Sequence, residues 1–315
     1  MRIERYTAGY RPLWDEFVRN SANATFLHLR DYMDYHSHRF TDNSLMAYNE
    51  KGRLVALLPA NVTGSTVISH QGLTYGGWLV ARRHCATPDM LHVWHSAVDF
   101  LRGEGVETLI YKAIPWIYPR YPSDDDIYAL FRLGAVVDSC SVSSAIALDE
   151  RPVDNESSRQ AIKRCEAAGV YVIQSDDYAC FMDMLACRLK ERYDAVPVHS
   201  VDEIKLLAQR FPEAIKLFMA FDGEHRPLAG TIIYLAGRVV HTQYIATTEQ
   251  GRRINVLPML MKHIMERHSS GHRYFDFGIS CEEGGRVLNH GLVSQKYGLG
   301  GRPVAYTAYR LPIIK

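Results

Sequence analysis

The chain has 315 residues, of which 47% are hydrophobic and 23% are charged, and its formal net charge is +1. This length is typical of two domains of ordinary size, each able to bury its own core. The near balance of charge weighs against a DNA-binding protein or a general membrane-surface binder, which usually carries a large basic excess, although it allows a local basic patch.

The sequence shows no targeting or membrane-spanning signal. Residues 1–6 lack the apolar core of a signal peptide, and no stretch reaches the ~18 apolar residues that a span requires. The six cysteines are scattered, without zinc-like spacing. His36 and His38 would face apart on a helix, so they do not form a ligand pair with His28. We therefore expect a reduced, cytoplasmic protein without a metal and without an integral membrane segment.

Helices and strands alternate along the first half of the chain. Hydrophobic spacing predicts helices at 13–20, 29–38 and 88–102. Runs rich in β-branched and aromatic residues predict strands at 54–62, 66–69 and 108–113, with a hairpin turn at Lys51-Gly52. A polar segment that contains a proline, 149–155, is the best position for a domain boundary.

The second half has the same α+β character. Helices are predicted at 157–168, 177–192, 201–210 and 255–268, and strands at 228–235, 238–245 and 274–279. Ser200 followed by Glu203 forms a capping box at the start of the third helix.

The two halves repeat one order of elements. Ala47-Tyr48-Asn49 aligns with Ala220-Phe221-Asp222, and the same offset of 173 residues places Gly64 on Gly237. In each half three strands are followed by a helix, a fourth strand, a short amphipathic segment and a last strand. A repeat of this length predicts a duplicated domain, and the cleft between two such domains is the default position for a site.

Five segments of the sequence carry a family resemblance: Arg159-Gln160-Ala161-Ile162-Lys163-Arg164, Leu228-Ala229-Gly230, Tyr244-Ile245-Ala246, Tyr274-Phe275-Asp276-Phe277-Gly278 and Gln295-Lys296-Tyr297-Gly298-Leu299-Gly300-Gly301. In this order they resemble the GNAT acyltransferase fold, and the tandem arrangement resembles FemAB-like proteins and BioF2-like acetyltransferases. The resemblance spans nearly the whole chain. It implies an α/β (α+β mixed) protein with two tandem GNAT-like domains, each a central, mostly antiparallel sheet flanked by helices. Residues 1–150 would form a degenerate, acceptor-side domain, and 151–315 the acyltransferase domain.

The resemblance also implies where an acyl donor, acetyl-coenzyme A or another acyl-coenzyme A, would bind. Strands 241–246 and 274–279 would diverge around the pantetheine arm, and loop 247–255 would hold the pyrophosphate, since exposed N–H groups and a helix N-terminus favour anions. The donor-binding residues expected are Tyr244, Ile245, Gln250, Gly251, Arg252, Arg253 and Asn255. The loop lacks the second glycine of the family, because Asn255 and Val256 stand there, and Arg252-Arg253 is equally interpretable as a solvated surface pair.

Catalytic candidates lie at the mouth of the same wedge. Asp276 alternates with Phe275 and Phe277, so it should point away from both rings, half-buried, as a base or an amine anchor. Glu282 and Glu283 could deprotonate or bind an amine. Lys296 matches the lysine of the FemAB-like closing motif, which implies that it steadies charge on the transferred carbonyl. Each of these residues also has a structural alternative, as a loop cap or a solvated surface charge.

In the first half, the related strand end is glycine-rich and aromatic. His70, Gln71 and Tyr75 are expected to bind the acceptor there together with Glu283, in an inter-domain cleft whose aromatic wall suits a sugar; packed aromatic rings at a glycine turn are the alternative. Three functions remain. They are a coenzyme-A-dependent N-acyltransferase acting on an amino sugar or another cell-envelope precursor, a FemAB-like aminoacyl-tRNA-dependent transferase of peptidoglycan bridge formation, and a non-catalytic tandem GNAT ligand-binding protein. Near-neutral charge and the lack of a long coiled pair between Gly169 and Leu217 weigh against tRNA.

Overall fold

The computed structural model describes residues 1–150 and 155–313. The chain divides into two compact units. The first unit contains Met1–Val142, Cys281–Leu288 and the chain from Ala305 onward, and the second contains Ser143–Ser280 and Asn289–Val304. The predicted division at residue 150 lies near the first of these boundaries, whereas the return of two later segments to the first unit has no counterpart in the prediction. Residues 151–154 of the predicted boundary segment lie outside the described residues.

Among the described residues, 1–147 form nine strands and four α-helices. They are β1 Arg2–Arg5, α1 Arg11–Asn20, α2 Arg30–Met33, β2 Thr41–Asp42, β3 Leu45–Tyr48, β4 Leu54–Leu58, β5 Asn61–Thr63, β6 Thr66–Ile68, β7 Leu79–Val80, α3 Thr87–Gly103, β8 Thr108–Lys112, α4 Asp125–Arg132 and β9 Val136–Ala147.

Residues 155–313 contain the remaining described elements. They are α5 Glu156–Ala167, β10 Tyr171–Ser175, α6 Tyr178–Tyr193, α7 Val201–Arg210, β11 Ile215–Phe221, β12 Pro227–Ala236, β13 Val239–Thr247, α8 Glu249–Ile254, α9 Leu257–His268, β14 Tyr274–Ile279, β15 Cys281–Glu282, β16 Val287–Leu288, α10 His290–Gly298 and β17 Arg302–Pro312. The predicted capping box is confirmed, because Ser200 and Glu203 exchange side-chain and backbone hydrogen bonds at the start of α7.

The sheets of both units are mostly antiparallel, as predicted. In the first unit, β1-β3-β4-β7 form one sheet, and β17-β8-β6-β5-β2 are neighbours in another. In the second unit, the order is β10-β11-β12-β13-β14-β9. Each unit contains one parallel pair joined by a helical crossover, β6 with β8 and β13 with β14. The mixed α/β fold and the duplication are therefore confirmed.

The closing strands of the two halves are exchanged. Strand β9, which ends the first half of the sequence, pairs antiparallel with β14 through residues 143–147. Strand β17, which ends the second half, pairs antiparallel with β8 through residues 308–312. Each half of the sequence thus supplies the last strand of the other half's sheet.

Two predicted elements of the first unit are interrupted. The strand predicted at 54–62 is split into β4 and β5, which pair in different sheets, because Pro59 between them cannot donate a ladder hydrogen bond. The helix predicted at 29–38 leaves α-helical geometry after Met33, and His36 within it has φ −120°. His36 is buried among aromatic rings there, so tertiary packing overrides the helical pattern.

Candidate active site

The parallel strands β13 and β14 separate soon after they meet. Their last paired residues are His241 and Asp276. Beyond this point β13 carries one extra residue, Gln243, relative to β12, and β14 is shifted against β9 between Asp276 and Ile279. Gly278, within the second irregularity, has φ +74°. Bulges bend a strand and increase its twist. The two strands therefore form an open wedge, as the resemblance implied.

A cavity of about 400 Å³ lies beside this wedge. The end of β13, the segment from α8 into α9, β14, α10 and α6 all contribute to its lining. Four of the lining side chains are basic, namely Arg188, Arg192, Arg252 and Lys296, and none of the lining residues is acidic. Apolar side chains such as Ile245 and Phe277 make up much of the rest. The cavity is therefore suited to a ligand with an apolar arm and an anionic end.

Lys296 is held in a fixed position at the end of β14. It projects from α10 and is only 6% exposed. Its Nζ donates to the carbonyl oxygens of Gly278 and Ile279 and to the hydroxyl of Ser280, each at 2.8 Å. All three acceptors are neutral oxygen atoms. The structure thus places Lys296 in the wedge rather than on a solvated helix face.

Asp276 is fully buried rather than half-buried as predicted. Its Oδ1 accepts hydrogen bonds from the Ser143 hydroxyl at 2.5 Å and from the backbone N–H of Gly278 at 3.2 Å. Its Oδ2 lies 2.8 Å from Nδ1 of His241. Phe275 and Phe277 enter the hydrophobic core with α9, which confirms that Asp276 points to the other face.

This chain of contacts assigns different roles to the carboxylate and the imidazole. An ionised Asp276 accepts the Nδ1–H of His241, which leaves Nε2 as the basic nitrogen of the ring. Asp276 is thus placed to orient the ring of His241 through Nδ1. Sequence reasoning missed His241 and Ser143. The available signal was a histidine directly after two valines at the start of a predicted strand, Val239-Val240-His241.

The predicted donor loop is largely helical. Residues 249–254 form α8, whose N-cap Thr248 accepts a hydrogen bond from Gly251. A Cβ on Gly251 would lie 2.1 Å from the carbonyl oxygen of Leu228, so this glycine is required for packing against β12. Asn255, with φ 57°, ends α8. Because Pro258 occupies the first turn of α9, that turn also has one N–H fewer to offer an anion.

The other expected donor-binding residues divide into two groups. Ile245, Gly251, Arg252 and Asn255 line the cavity, whereas Tyr244, Gln250 and Arg253 are not among its lining residues. Both arginines are exposed; Arg252 donates from Nη1 to the carbonyl of Thr247 at 3.0 Å, while Arg253 pairs with Glu249. The Tyr244 hydroxyl shares a 2.5 Å hydrogen bond with Nδ1 of His199, and burial raises the pKa of Tyr244.

The expected acceptor residues of the first unit are mostly buried. His70, at φ 58°, is 3% exposed, and burial together with the neighbouring His36 lowers its pKa to about 2. Tyr75 is 1% exposed, shares a hydrogen bond with Thr25 at 3.2 Å and packs its ring 4.5 Å from that of Tyr118. Gln71 is exposed.

Glu282 and Glu283 also belong to the first unit. Glu282 ends the short strand β15, and Glu283 follows it at φ 50°; both side chains are exposed. Their grouping with Asp276 and Lys296, like the cleft between the two units, stays a prediction.

Comparisons with known proteins agree with this architecture. Residues 155–284 match the family model described as an acetyltransferase (GNAT) domain. Among solved structures, the chain is similar to FemX, with a TM-score of 0.69 and 13% identity over 99% of this chain and 97% of that one. It is also similar to L-PGS from Bacillus licheniformis, with a TM-score of 0.63 and 11% identity over 99% and 94% of the two chains.

A third similar structure is a tandem GNAT protein from the clavulanic acid biosynthesis pathway, with a TM-score of 0.54 and 13% identity over 100% of this chain and 99% of that one. No curated protein matches. The chain has the tandem GNAT fold, and residues 155–284 carry an acetyltransferase (GNAT) domain. Within the described residues, no helix is long and apolar enough to cross a membrane.

Proposed function

We propose that this protein is an N-acyltransferase that moves an acyl group from acyl-coenzyme A to the amine of a small molecule, an amino sugar or another precursor of the cell envelope. The observation that carries the proposal is the cavity beside the β13–β14 wedge, which combines four basic side chains with an apolar wall and has no acidic lining residue. The acetyltransferase domain that matches residues 155–284 contains the wedge.

The donor would bind with its anionic and apolar parts in different places. Arg252 and the α6 side chains Arg188 and Arg192 would hold the diphosphate, since guanidinium groups form strong, charge-assisted hydrogen bonds with phosphate. Among the described residues, no strand pairs with β13 on the β14 side beyond His241. The N–H groups of β13 on that side are thus available to an extended pantetheine arm, much as a sheet edge accepts an added strand.

Acyl transfer to an amine also needs a base and a group that stabilises the carbonyl oxygen. The amine nitrogen bonds to the acyl carbon, the bond from that carbon to the donor's sulfur breaks, and the amine proton must leave. His241, oriented by Asp276 and Ser143, would take the proton. Lys296 would stabilise negative charge on the oxygen through the electrostatic field of its ammonium, since its three N–H groups already donate to protein acceptors that fix its position.

Aminoacyl-tRNA is the second candidate donor. The supporting observation is the helical segment 249–254, whose glycine packs against Leu228 instead of leaving a backbone surface open for a diphosphate. The same four basic side chains could receive the phosphates of an RNA 3′ end. Because the formal net charge of the chain is only +1, tRNA remains the disfavoured donor.

Calorimetry with coenzyme A and with uncharged tRNA, in parallel, tests the proposal. The Arg252→Gln variant should bind coenzyme A more weakly by about 1–3 kcal/mol, the value of a lost hydrogen bond to a charged group. The matched control is Arg253→Gln, one residue away and equally exposed but outside the cavity lining, which should bind as the parent does.

Each outcome of this experiment separates the candidates. If the protein binds tRNA and does not bind coenzyme A, aminoacyl-tRNA is the donor. Coenzyme A binding without acetylation of any amine in an amino-sugar panel would select the non-catalytic ligand-binding function. Equal losses in both arginine variants would reject the cavity as the donor site.

A further inference from the structure

A second basic hollow lies in the first unit, apart from any residue assigned above. Its volume is about 740 Å³, and it is lined by Asn20, Arg53, Arg82, Arg83, His84 and Tyr121. These six residues come from four segments: the end of α1, the start of β4, the segment after β7, and the chain before α4. The three arginines come from two of these segments, Arg53 from one and the adjacent Arg82 and Arg83 from another, so they are not the charged face of a single helix.

The positive charge of this hollow is not neutralised by the protein. None of its lining residues is acidic. Within residues 1–150 and 155–313, neither Arg53 nor Arg83 forms an ion pair, and Arg82 donates only to a neutral acceptor, the carbonyl of Ser21, at 3.3 Å. Like charges gathered in this way repel one another, which an anionic ligand would relieve.

Two carboxylates in neighbouring segments are engaged elsewhere. In the segment that follows the arginines, Asp89 accepts from the backbone N–H of Ala86 at 3.0 Å. Asp125, at the start of α4, accepts from the Thr87 hydroxyl. Both acidic side chains therefore serve helix starts, and the arginines are left facing solvent.

The backbone that carries the arginines is well fixed. Asn49 accepts from the backbone N–H of Arg53 at 3.0 Å and so closes the hairpin before β4. Ser21 forms an isolated bridge with Ala81, next to Arg82. His84 holds a left-handed backbone, φ 71°, that is unfavourable for a residue other than glycine. The hollow is thus carried by the end of a closed hairpin and by the chain that follows an isolated bridge.

We infer that the hollow of Arg53, Arg82 and Arg83 binds a small ligand that carries a diphosphate group. Three guanidinium groups match the charge of a diphosphate near neutral pH, and arginine recognises phosphate oxygens in a bidentate manner. The half-exposed ring of Tyr121 in the same lining offers a stacking surface for a base or sugar attached to that group. An RNA strand would need a longer basic track with successive aromatic rings, whereas this lining has three arginines and one tyrosine.

Calorimetric titration with inorganic diphosphate tests this inference. The cavity of the second unit is also basic, so the titration is carried out on the parent and in the Arg252→Gln background. Removing the hollow's charge with Arg53→Gln, Arg82→Gln and Arg83→Gln together should weaken one binding event at least tenfold, a modest value because the contacts are exposed to solvent. The matched control is the combination of Arg164→Gln, Arg267→Gln and Arg286→Gln, which removes three arginines outside the hollow.

Hydrogen exchange locates the event. Diphosphate should slow exchange in residues 50–54 and 81–86 of the parent and of the control, and not in the hollow variant. Adenosine diphosphate should bind more tightly than inorganic diphosphate if Tyr121 stacks on the base, and Tyr121→Ala should abolish that difference.

The opposite results would overturn the inference. The inference is wrong if the hollow variant binds diphosphate as the parent does, or if diphosphate does not slow hydrogen exchange in residues 50–54 and 81–86. It is also wrong if the parent binds an RNA hairpin but no diphosphate. The Arg252→Gln substitution lies in the second unit, whereas the hollow lies in the first. A loss of coenzyme A binding in that variant therefore does not change the interpretation of this test.

Discussion

The parallel strand pairs β6–β8 and β13–β14 occupy equivalent positions in the two units. They differ in whether the space beyond the paired residues is open or filled. In the second unit the strands part after His241 and Asp276, and a basic cavity lies beside the opening. In the first unit the corresponding space is taken by the chain itself. Ser69 continues the pairing with Ile110, and the segment that follows turns back onto Tyr111 and Lys112.

Specific contacts hold this segment in the first wedge. The N–H of Gly76 donates to the carbonyl of Lys112 at 3.1 Å, and that of Trp78 donates to the Tyr111 hydroxyl at 2.7 Å. The Lys112 ammonium donates to the carbonyls of His70 and Leu73. A duplicated fold can therefore keep its topology while one copy closes the position that, in the other copy, is free to receive a ligand.

The largest expected effect concerns the open wedge. Replacing Asp276 with Asn keeps the shape but removes the charge that orients His241, and turnover should fall by roughly 10²–10⁴-fold, the usual contribution of general base catalysis. Steady-state kinetics with a responsive amine measures this. Since both residues act as one unit, adding His241→Ala to Asp276→Asn should cost little more.

Circular dichroism and the melting temperature of Asp276→Asn serve as the control, because a buried carboxylate also has structural partners. A folded variant with full turnover would assign Asp276 a structural role only.

The stability of the closed wedge, the space beside β6 and β8 that the segment after Ser69 fills, should fall when one methyl group is added. A Cβ on Gly76 would lie 2.1 Å from the carbonyl oxygen of Ser69, so Gly76→Ala should lower the free energy of unfolding by about 1–3 kcal/mol through overpacking. Gly251→Ala in the second unit meets a backbone oxygen at the same distance and should cost a similar amount. Urea denaturation measures both.

Gly103→Ala is the matched control for these two glycines, because an added Cβ there meets no atom within 4 Å. If Gly76→Ala were as stable as Gly103→Ala, the segment would not be tightly packed in the first wedge.

The smallest expected effect is a pH dependence of the closed wedge. Burial lowers the pKa of His70 to about 2 and that of His28 to about 4, both below the usual 6.5. Between pH 6.5 and 4 the unfolded chain therefore binds protons that the folded unit excludes, so stability falls as the pH falls. The variant His70→Gln should lose part of this slope in denaturation curves measured between pH 7 and 4. An unchanged slope would mean that other groups cause the acid sensitivity.

The architecture was accessible from the sequence because it depends on patterns that local chemistry preserves. Alternation placed Asp276 opposite Phe275 and Phe277, and the capping box placed the start of α7. Exchange of β9 and β17 could not be read from the sequence, because strand pairing across such distances leaves no local signal.

The site was predicted less completely for a similar reason. Arg252 and Lys296 were identified as candidates and line the cavity. The contribution of Arg188 and Arg192 requires α6 to pack beside the wedge, and the hydrogen bonds of Asp276 to Ser143 and His241 bring together residues from three strands. Gly251 looked like part of a phosphate loop, yet it is small because the backbone of Leu228 lies against it.

The exchange of closing strands also affects how the chain folds while it is being synthesised. Strand β8 pairs with β6 on one edge and with β17 on the other, where Thr108 pairs with Pro312. This second edge therefore has no partner until residue 312 has left the ribosome. An unpaired strand edge promotes association with other chains. Folding of the first unit must therefore wait for the second half of the sequence, and a polypeptide truncated near residue 150 should aggregate rather than yield an isolated domain.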